Sequence, residues 1–376
     1  MQAEMPAPAP IYLDYNAGAP IKPEVQAAIV EALALTGNPS SVHRFGREAR
    51  RRIEDARERV AALAGARAAD VIFTAGGTEA NNLALSGSGR TRLLVSAIDH
   101  DSVRAAAPDA EILPVRPDGR LDLDALRARL AEEARPALLS VQLANNETGV
   151  IQPVAEAAAL ARAAGALVHC DAVQAAGKVP ILMAALGADY LSLSAHKLGG
   201  PPGVGALVAA PGAPLTPAIR GGGQERSRRG GTENLPGIIG FGTAAALAAA
   251  ELADQPRLAR LRDRLEAAVT EAAPDAPIYG KAAPRLANTS CVGMPGVRSE
   301  SQLMGFDLAG IAVSAGAACS SGKVAQSHVL LAMGVDPAAA ACAIRVSLGW
   351  ATEEAHVERF VDVWKDIFRR ARTRAA

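Results

Sequence analysis

Short apolar runs alternate with longer periodic segments through the first two-thirds of the chain. The runs are "ADVIFTA" (69–75), "TRLLVSAI" (91–98), "PALLSVQLA" (136–144), "GALVHCDA" (165–172), "ADYLSLSA" (188–195) and "GVGALVAA" (203–210). None shows the strict in–out alternation of a strand with one wet face. Each predicts a strand buried on both sides. Ala-rich segments of helical period lie between several of them, as at 121–134 and 153–164. Strands separated by helices of this length predict crossover connections and a mainly parallel sheet.

Near Gly240 the texture changes. Residues 241–273 read as helix interrupted at Pro256. Short mixed pieces follow, then an amphipathic helix over 353–372. At 376 residues the chain exceeds one ordinary core. The expected plan is α/β, with a large domain over 19–254. A smaller α+β domain comprises 255–376 together with 1–18.

Composition removes several function classes. Lys plus Arg equals Asp plus Glu at 39 each, so no global field draws nucleic acid or an acidic membrane. The basic run at 47–52 is interrupted or followed by Glu48, Glu54 and Asp55, which fits a solvated helix face. Gly, Pro or charge interrupts every apolar run short of the roughly 20 residues a span needs. The opening "MQAEMPAPAP" has no basic start and no apolar stretch of the signal-peptide kind. Cys170, Cys291, Cys319 and Cys342 form no C-x-x-C pair, so neither a zinc site nor a dithiol redox motif is expected. The expectation is a soluble cytoplasmic protein with reduced thiols, no metal, no nucleic acid and no membrane.

Lys197 follows an apolar strand and precedes "LGGPPG". A lysine there costs desolvation unless its amine reaches water or its charge is reduced. It either snorkels to solvent or serves as a Schiff-base lysine for an aldehyde cofactor. Its neighbours along the chain bear on the choice. Asp171 ends the run "GALVHCDA", and ligands of parallel sheets bind outside the carboxyl ends of strands. "FTAGGTEANN" (73–82) is strand, Gly-Gly, then a helix start at Thr78: backbone N–H groups, a hydroxyl and room for a phosphate. His100 follows another strand and offers a flat ring. A lysine, an acid, a phosphate cup and a stacking ring are what pyridoxal phosphate requires.

Many further motifs appear in order: "YLDYNAGAP", "GNPSSVHRFGREAR", "NNETGVIQP", "VHCDAVQAAGK", "SAHKLGGPPGVGAL", "GGGQERSRRGGTEN", "GAACSS", "SHVLLAMG" and "RVSLG". With these, the chain from 12 to 349 closely resembles the cysteine desulfurases, in the class V aminotransferase group of fold-type I pyridoxal-phosphate enzymes. The resemblance implies that fold, with a large sheet of the seven-stranded kind, and conversion of L-cysteine to L-alanine. Lys197 matches the lysine that carries the cofactor, and Asp171 the partner of its ring nitrogen. Gln174 is similar to the residue bound to the ring's phenolic oxygen, and His100 to the stacking residue and proton shuttle. Gly77, Thr78, Ser194 and His196 match the phosphate cup. Thr232 resembles a phosphate ligand supplied by a second subunit, which implies a homodimer. Asn146 and Arg345 match groups on the substrate side, where a guanidinium fork suits a carboxylate. Asn38 is a further substrate-side candidate.

Cys319 lies among Gly, Ala and Ser without apolar period, which predicts a loop and not a core position. The resemblance places it on the family's nucleophile, which carries sulfur as a persulfide to an acceptor or scaffold protein. The segment about 315–327 has the length of the long-loop subgroup. Cys170, Cys291 and Cys342 are expected to be buried and inert. Ala317, Pro202 and Asp99 depart from the common Ser, Lys and Glu. After the last helix the sequence ends at "RRARTRAA", where housekeeping members often continue into a tail that docks an iron–sulfur scaffold. A selenocysteine lyase or another class V enzyme is the alternative. A non-catalytic protein of the same fold is the alternative from outside enzymology.

Overall fold

The computed structural model describes residues 10–133, 135–316 and 326–375. Seven strands form the main sheet: β1 (Val71–Thr74), β2 (Arg92–Ser96), β3 (Glu111–Leu113), β4 (Ala137–Gln142), β5 (Leu167–Asp171), β6 (Tyr190–Ser194) and β7 (Gly205–Ala209). Their spatial order is β1-β7-β6-β5-β4-β2-β3. Strands β2 to β6 pair in parallel, while β7 runs antiparallel to both of its neighbours. The reversal has a simple cause. Residues 195–204 join β6 to β7, and a parallel crossover needs about a dozen residues or more.

Both faces of the sheet are buried, as the apolar runs predict. Leu139, Val141, Val168 and Leu191 belong to one core with the helices Arg44–Ala64, Val154–Ala163 and Leu235–Ala250. Leu138, Tyr190 and Leu207 belong to the opposite core, with Leu83 and Ala84 of the helix Gly77–Gly87. The stretch Leu235–Ala272 is long and apolar enough by composition to span a bilayer, although Gly and Pro interrupt it in the sequence. Here its apolar part is core. Ile238, Phe241, Ala244 and Ala245 are buried, and a 3₁₀ turn at Glu251–Asp254 divides it ahead of Pro256.

A second core surrounds a three-stranded antiparallel sheet, β8 (Ile278–Tyr279), β9 (Thr289–Gly293) and β10 (Ala343–Ser347), with β9 central. Val357, Phe360, Val361, Trp364 and Phe368 of the helix Glu354–Ala375 fill it at helical spacing, and Phe306 stacks on Phe360 at 4.8 Å. The N-terminal segment joins this core. Ile11–Tyr12 pairs in parallel with Ile311–Ala312, and Leu13 is fully buried.

Two buried polar devices hold the large core in register. Arg57 makes a two-pronged ion pair with Glu225 at 2.6 and 2.8 Å, and Glu225 also accepts from Phe73 N at 2.9 Å. This pair anchors a turn in which Glu225, Arg226 and Ser227 have φ of 47°, 57° and 62°. Three successive non-glycine residues in that region are costly and persist only when held from outside. The second device crosses the sheet. His169 bridges Ser140 Oγ and Ser192 Oγ, each at 2.9 Å, one on either adjacent strand.

Burial pushes His169 down to about 4, so the folded chain keeps it neutral. An unfolded histidine takes its proton near 6.5. The unfolded state therefore binds more protons between those values, and stability falls as pH drops from about 6.5 to 4. Urea midpoints measured across that window are expected to decline, and His169→Gln is expected to flatten the slope by about one proton.

Candidate active site

The carboxyl ends of β4, β5 and β6 carry Gln142, Asp171 and Ser194 to the rim of a cavity of about 670 Å³. Of the residues singled out in the sequence, Gly77, Thr78, His100, Asn146, Asp171, Gln174, Ser194, His196, Lys197 and Arg345 all line it. They come from turns after four strands of the main sheet, from the "NNETG" segment and from β10 of the second core. Pro202 lines the cavity as well.

Each position has a local cause. Two residues past β1 stands Gly76, whose φ of 157° suits glycine, and the helix Gly77–Gly87 starts at once with no side chain capping it. A Cβ on Gly76 would meet nothing within 4 Å, so the cradle in front of the helix is open. Beside it Ser194 Oγ and His196 Nδ1 lie 2.8 Å apart, and burial pushes His196 down to about 4. Open space, a helix start, hydroxyls and an imidazole make an anion cup. Asp171 Oδ2 accepts from Asn81 Nδ2 at 2.8 Å and Oδ1 from Val173 N at 3.0 Å. His100 caps the helix Asp101–Arg104, with Nδ1 facing Ser102 Oγ at 2.8 Å. These groups suit the phosphate, the ring nitrogen and the ring face of pyridoxal phosphate.

Lys197 closes a 3₁₀ turn at Ala195–Lys197, and its Nζ donates to Asn16 O at 2.7 Å and Ala17 O at 2.8 Å. Arg345 enters from β10. Its Nη2 pairs with Asp14 at 2.6 Å and its Nη1 donates to Asn146 O at 3.2 Å; among the described residues its buried Nε has no acceptor. Glu147 is buried on the cavity wall, where Ser327 Oγ donates to it at 2.6 Å and burial raises its pKa.

Two candidates stand elsewhere. Asn38 does not line the cavity: its side chain is exposed and accepts from Ser40 N at 2.8 Å in a turn before the helix Arg44–Ala64. Thr232 lines a separate recess with Glu225 and Arg229. Cys319 and Ala317 lie outside the described residues. Cys170 and Cys291 are buried, which raises their thiol pKa values. Cys342 departs from expectation. It is half-exposed, because it falls in the turn between the helix Pro337–Ala340 and β10 instead of inside either. Asp99 is fully buried and takes Ser96 N and Gln142 N at 2.9 and 3.0 Å, so its carboxylate ties β2 to β4.

The family model for class V aminotransferases matches residues 11–360. A cysteine desulfurase of Cereibacter sphaeroides is 45% identical over 372 residues, covering 95% of either chain. The chain belongs to the cysteine desulfurases of the class V aminotransferase family. Its fold agrees with that membership. A solved NifS-like protein of Rickettsia africae superposes with a TM-score of 0.89 at 36% identity, covering 96% of this chain and 99% of that one. A structure described as SspA in complex with cysteine superposes with a TM-score of 0.76 at 29% identity, over 90% and 98% of the respective chains.

Three residues in the quoted motifs carry more of this site than the sequence reveals. Asn81 fixes Asp171. Lys178 donates to Gln174 Oε1 at 3.1 Å and to Asn16 Oδ1 at 2.9 Å. Asn16 is the hub. Its Nδ2 donates to Asn146 O and Thr289 Oγ1, its Oδ1 accepts from Lys178 and Asn288, and its carbonyl accepts from Gln174 and Lys197. All were visible as polar residues inside motifs, but a polar residue in a turn shows no partners in one dimension. Leaving buried partners unmade costs about 1–3 kcal/mol each. Asn16→Ala is therefore expected to destabilise the protein by about 2 kcal/mol or more in urea unfolding, well above the effect of an exposed control such as Asn38→Ala.

Proposed function

We propose that this member of the family converts L-cysteine to L-alanine with pyridoxal phosphate, leaving the sulfur as a persulfide on Cys319. The observation that supports it is the convergence of Lys197, Asp171 and His100 on one cavity with Arg345 on its wall. Bound there, pyridoxal phosphate supplies the electron sink that makes the substrate's α-proton removable. Lys197 holds the cofactor and moves the α-proton. Asp171, already fixed by Asn81 and Val173 N, keeps a proton on the ring nitrogen. Gln174 addresses the phenolic oxygen, and His100 covers the ring and exchanges protons with the thiol groups. Gly77, Thr78, Ser194 and His196 hold the phosphate. Arg345 clamps the substrate carboxylate, with Asn146 beside it.

In the transfer step the Cys319 thiolate attacks the substrate sulfur. The new S–S bond forms as the C–S bond breaks, and its electron pair returns to carbon, which is protonated to alanine. One cysteine and one thiol thus become one alanine and one persulfide. A thiolate is required, while a free cysteine has a pKa of roughly 8.5.

Lys197→Ala is expected to remain folded and to lose covalent fixation of the cofactor by borohydride. Cys319→Ala is expected to keep the cofactor and to respond spectrally to cysteine. It should lose alanine and sulfide production by about a hundredfold or more. Mass spectrometry after brief exposure to cysteine should find one added sulfur on Cys319. Near-normal turnover of that variant would refute the assignment.

The working unit we propose is a cytoplasmic homodimer in which Thr232 reaches the phosphate of the other subunit, and the persulfide passes to an acceptor protein. The separate recess around Thr232 supports this, as do the exposed apolar side chains of Val42 and Phe45 at the start of the helix Arg44–Ala64. The body over 19–254 then binds the cofactor, and 255–376 with 1–18 brings in Arg345 and Cys319. Sedimentation should give a dimer. A monomer with full activity would contradict the shared site.

A further inference from the structure

Arg345 reaches the cavity from the middle of β10, and its backbone is held on both sides. It pairs with Cys291 of β9 on one side. On the other, its N donates to Ser314 O at 2.7 Å and its O accepts from Ser314 N at 3.1 Å. What remains to be set is the direction of a long side chain. A guanidinium carries five N–H donors and no acceptor. Asp14 Oδ1 takes one on Nη2 at 2.6 Å, and Asn146 O takes one on Nη1 at 3.2 Å. The Nε–H is buried and, among the described residues, has no acceptor. One N–H is left on each Nη, which is the number that a two-pronged grip on a carboxylate takes. Arg345 lines the cavity and Asp14 does not, so the ion pair leaves the ligand side of the guanidinium to the ligand.

Asp14 is the stronger of the two holders, because its bond is charged and shorter than the one to the neutral carbonyl of Asn146. Among the described residues no other carboxylate forms an ion pair with Arg345. Glu147 is close enough to feel its charge but bonds to Ser327 Oγ.

Asp14 also opens a tight turn. Its carbonyl accepts from Ala17 N at 3.0 Å and from Tyr12 Oη at 3.1 Å. Within that turn Asn16 O and Ala17 O take the Lys197 amine at 2.7 and 2.8 Å. The chain then stays on the lysine segment: Ala19 N donates to His196 O at 2.8 Å and Lys22 N to Gly199 O at 3.1 Å. Four consecutive residues thus hold the guanidinium at one end and the amine at the other. An α-amino acid needs both, its carboxylate on a cation and its amino-bearing carbon near the amine.

We propose that Asp14 is a positioning residue for the substrate: its ion pair holds the Arg345 guanidinium so that the remaining N–H groups meet the α-carboxylate at a set distance from the Lys197 amine. This rests on the role given to Arg345 above.

The test is calorimetric binding to the full chain loaded with pyridoxal phosphate. The probes are L-alanine and ethylamine, which is the same molecule without the carboxylate. The variants are Asp14→Asn, which keeps the shape and removes the charge, Arg345→Gln, and the two combined. The wild type is expected to bind L-alanine more tightly than ethylamine. Asp14→Asn is expected to weaken L-alanine about tenfold, the cost of a charged hydrogen bond, and to leave ethylamine within about twofold. Added to Arg345→Gln, it should cost nothing further, because it acts through that guanidinium. In turnover of L-cysteine, Asp14→Asn is expected to raise KM about tenfold with kcat within about twofold, since the carboxylate grip is the same before and during the reaction. A wild type that binds ethylamine as tightly as L-alanine, or an Arg345→Gln variant of full affinity, overturns the clamp and this proposal together. Full affinity for L-alanine in Asp14→Asn beside a weakened Arg345→Gln overturns this proposal alone. So does an equal loss for ethylamine, or a further tenfold loss in the combined variant, either of which marks Asp14 as merely structural.

Discussion

The site depends on one buried asparagine with every hydrogen-bonding group in use. Asn16 is 1% exposed, and its backbone N–H goes to Ser347 Oγ at 3.0 Å. Its side chain and carbonyl reach β9, the "NNETG" segment, Gln174, Lys178 and Lys197. Those partners come from both cores. A buried amide must be satisfied, and here satisfaction is possible only when both cores sit in one relative position. The same bonds fix where the Lys197 amine stands. Stability and site geometry are therefore one constraint at this point.

The main sheet supplies the other half of the geometry. Its interior is apolar except where function or register asks for polarity, and each exception is paired. His169 on β5 is bridged by two serines; against the sheet, Arg57 is paired with Glu225 and Asp99 takes two backbone N–H groups. Gln142, Asp171 and Ser194 face the cavity from the carboxyl ends of β4 to β6, where the chain leaves the sheet and side chains can converge. The left-handed run Glu225–Ser227 leads toward Thr232 and is held against the large core by Arg57. A conformation this costly, fixed by a buried ion pair, is consistent with the role proposed for that segment between subunits.

The substitutions that set this chain apart from its family's common pattern fall unevenly. Asp99 is a structural cap, fully buried, and its shorter side chain still reaches both N–H groups. Pro202 lies on the cavity wall, where it presents a rigid, uncharged surface. The cations on that wall, Lys197 and Arg345, are each tied to a named oxygen.

The sequence by itself determined the strands, because residues buried on two faces leave an unbroken apolar signature that survives in one dimension. It also determined the chemistry on offer: an isolated Lys197 after a strand, Asp171 at a strand end, and the glycines before Thr78. Its ordered motifs identified the family. The antiparallel course of β7, the half-exposed position of Cys342 and the distance of Asn38 from the cavity were decided in three dimensions. So were the roles of Asn16, Asn81 and Lys178. Apolar burial is a property each residue carries alone and repeats with a period, so a string records it. A hydrogen bond between Asn16 and Asn288, 272 positions apart, is a property of a pair, and only the folded chain brings the pair together.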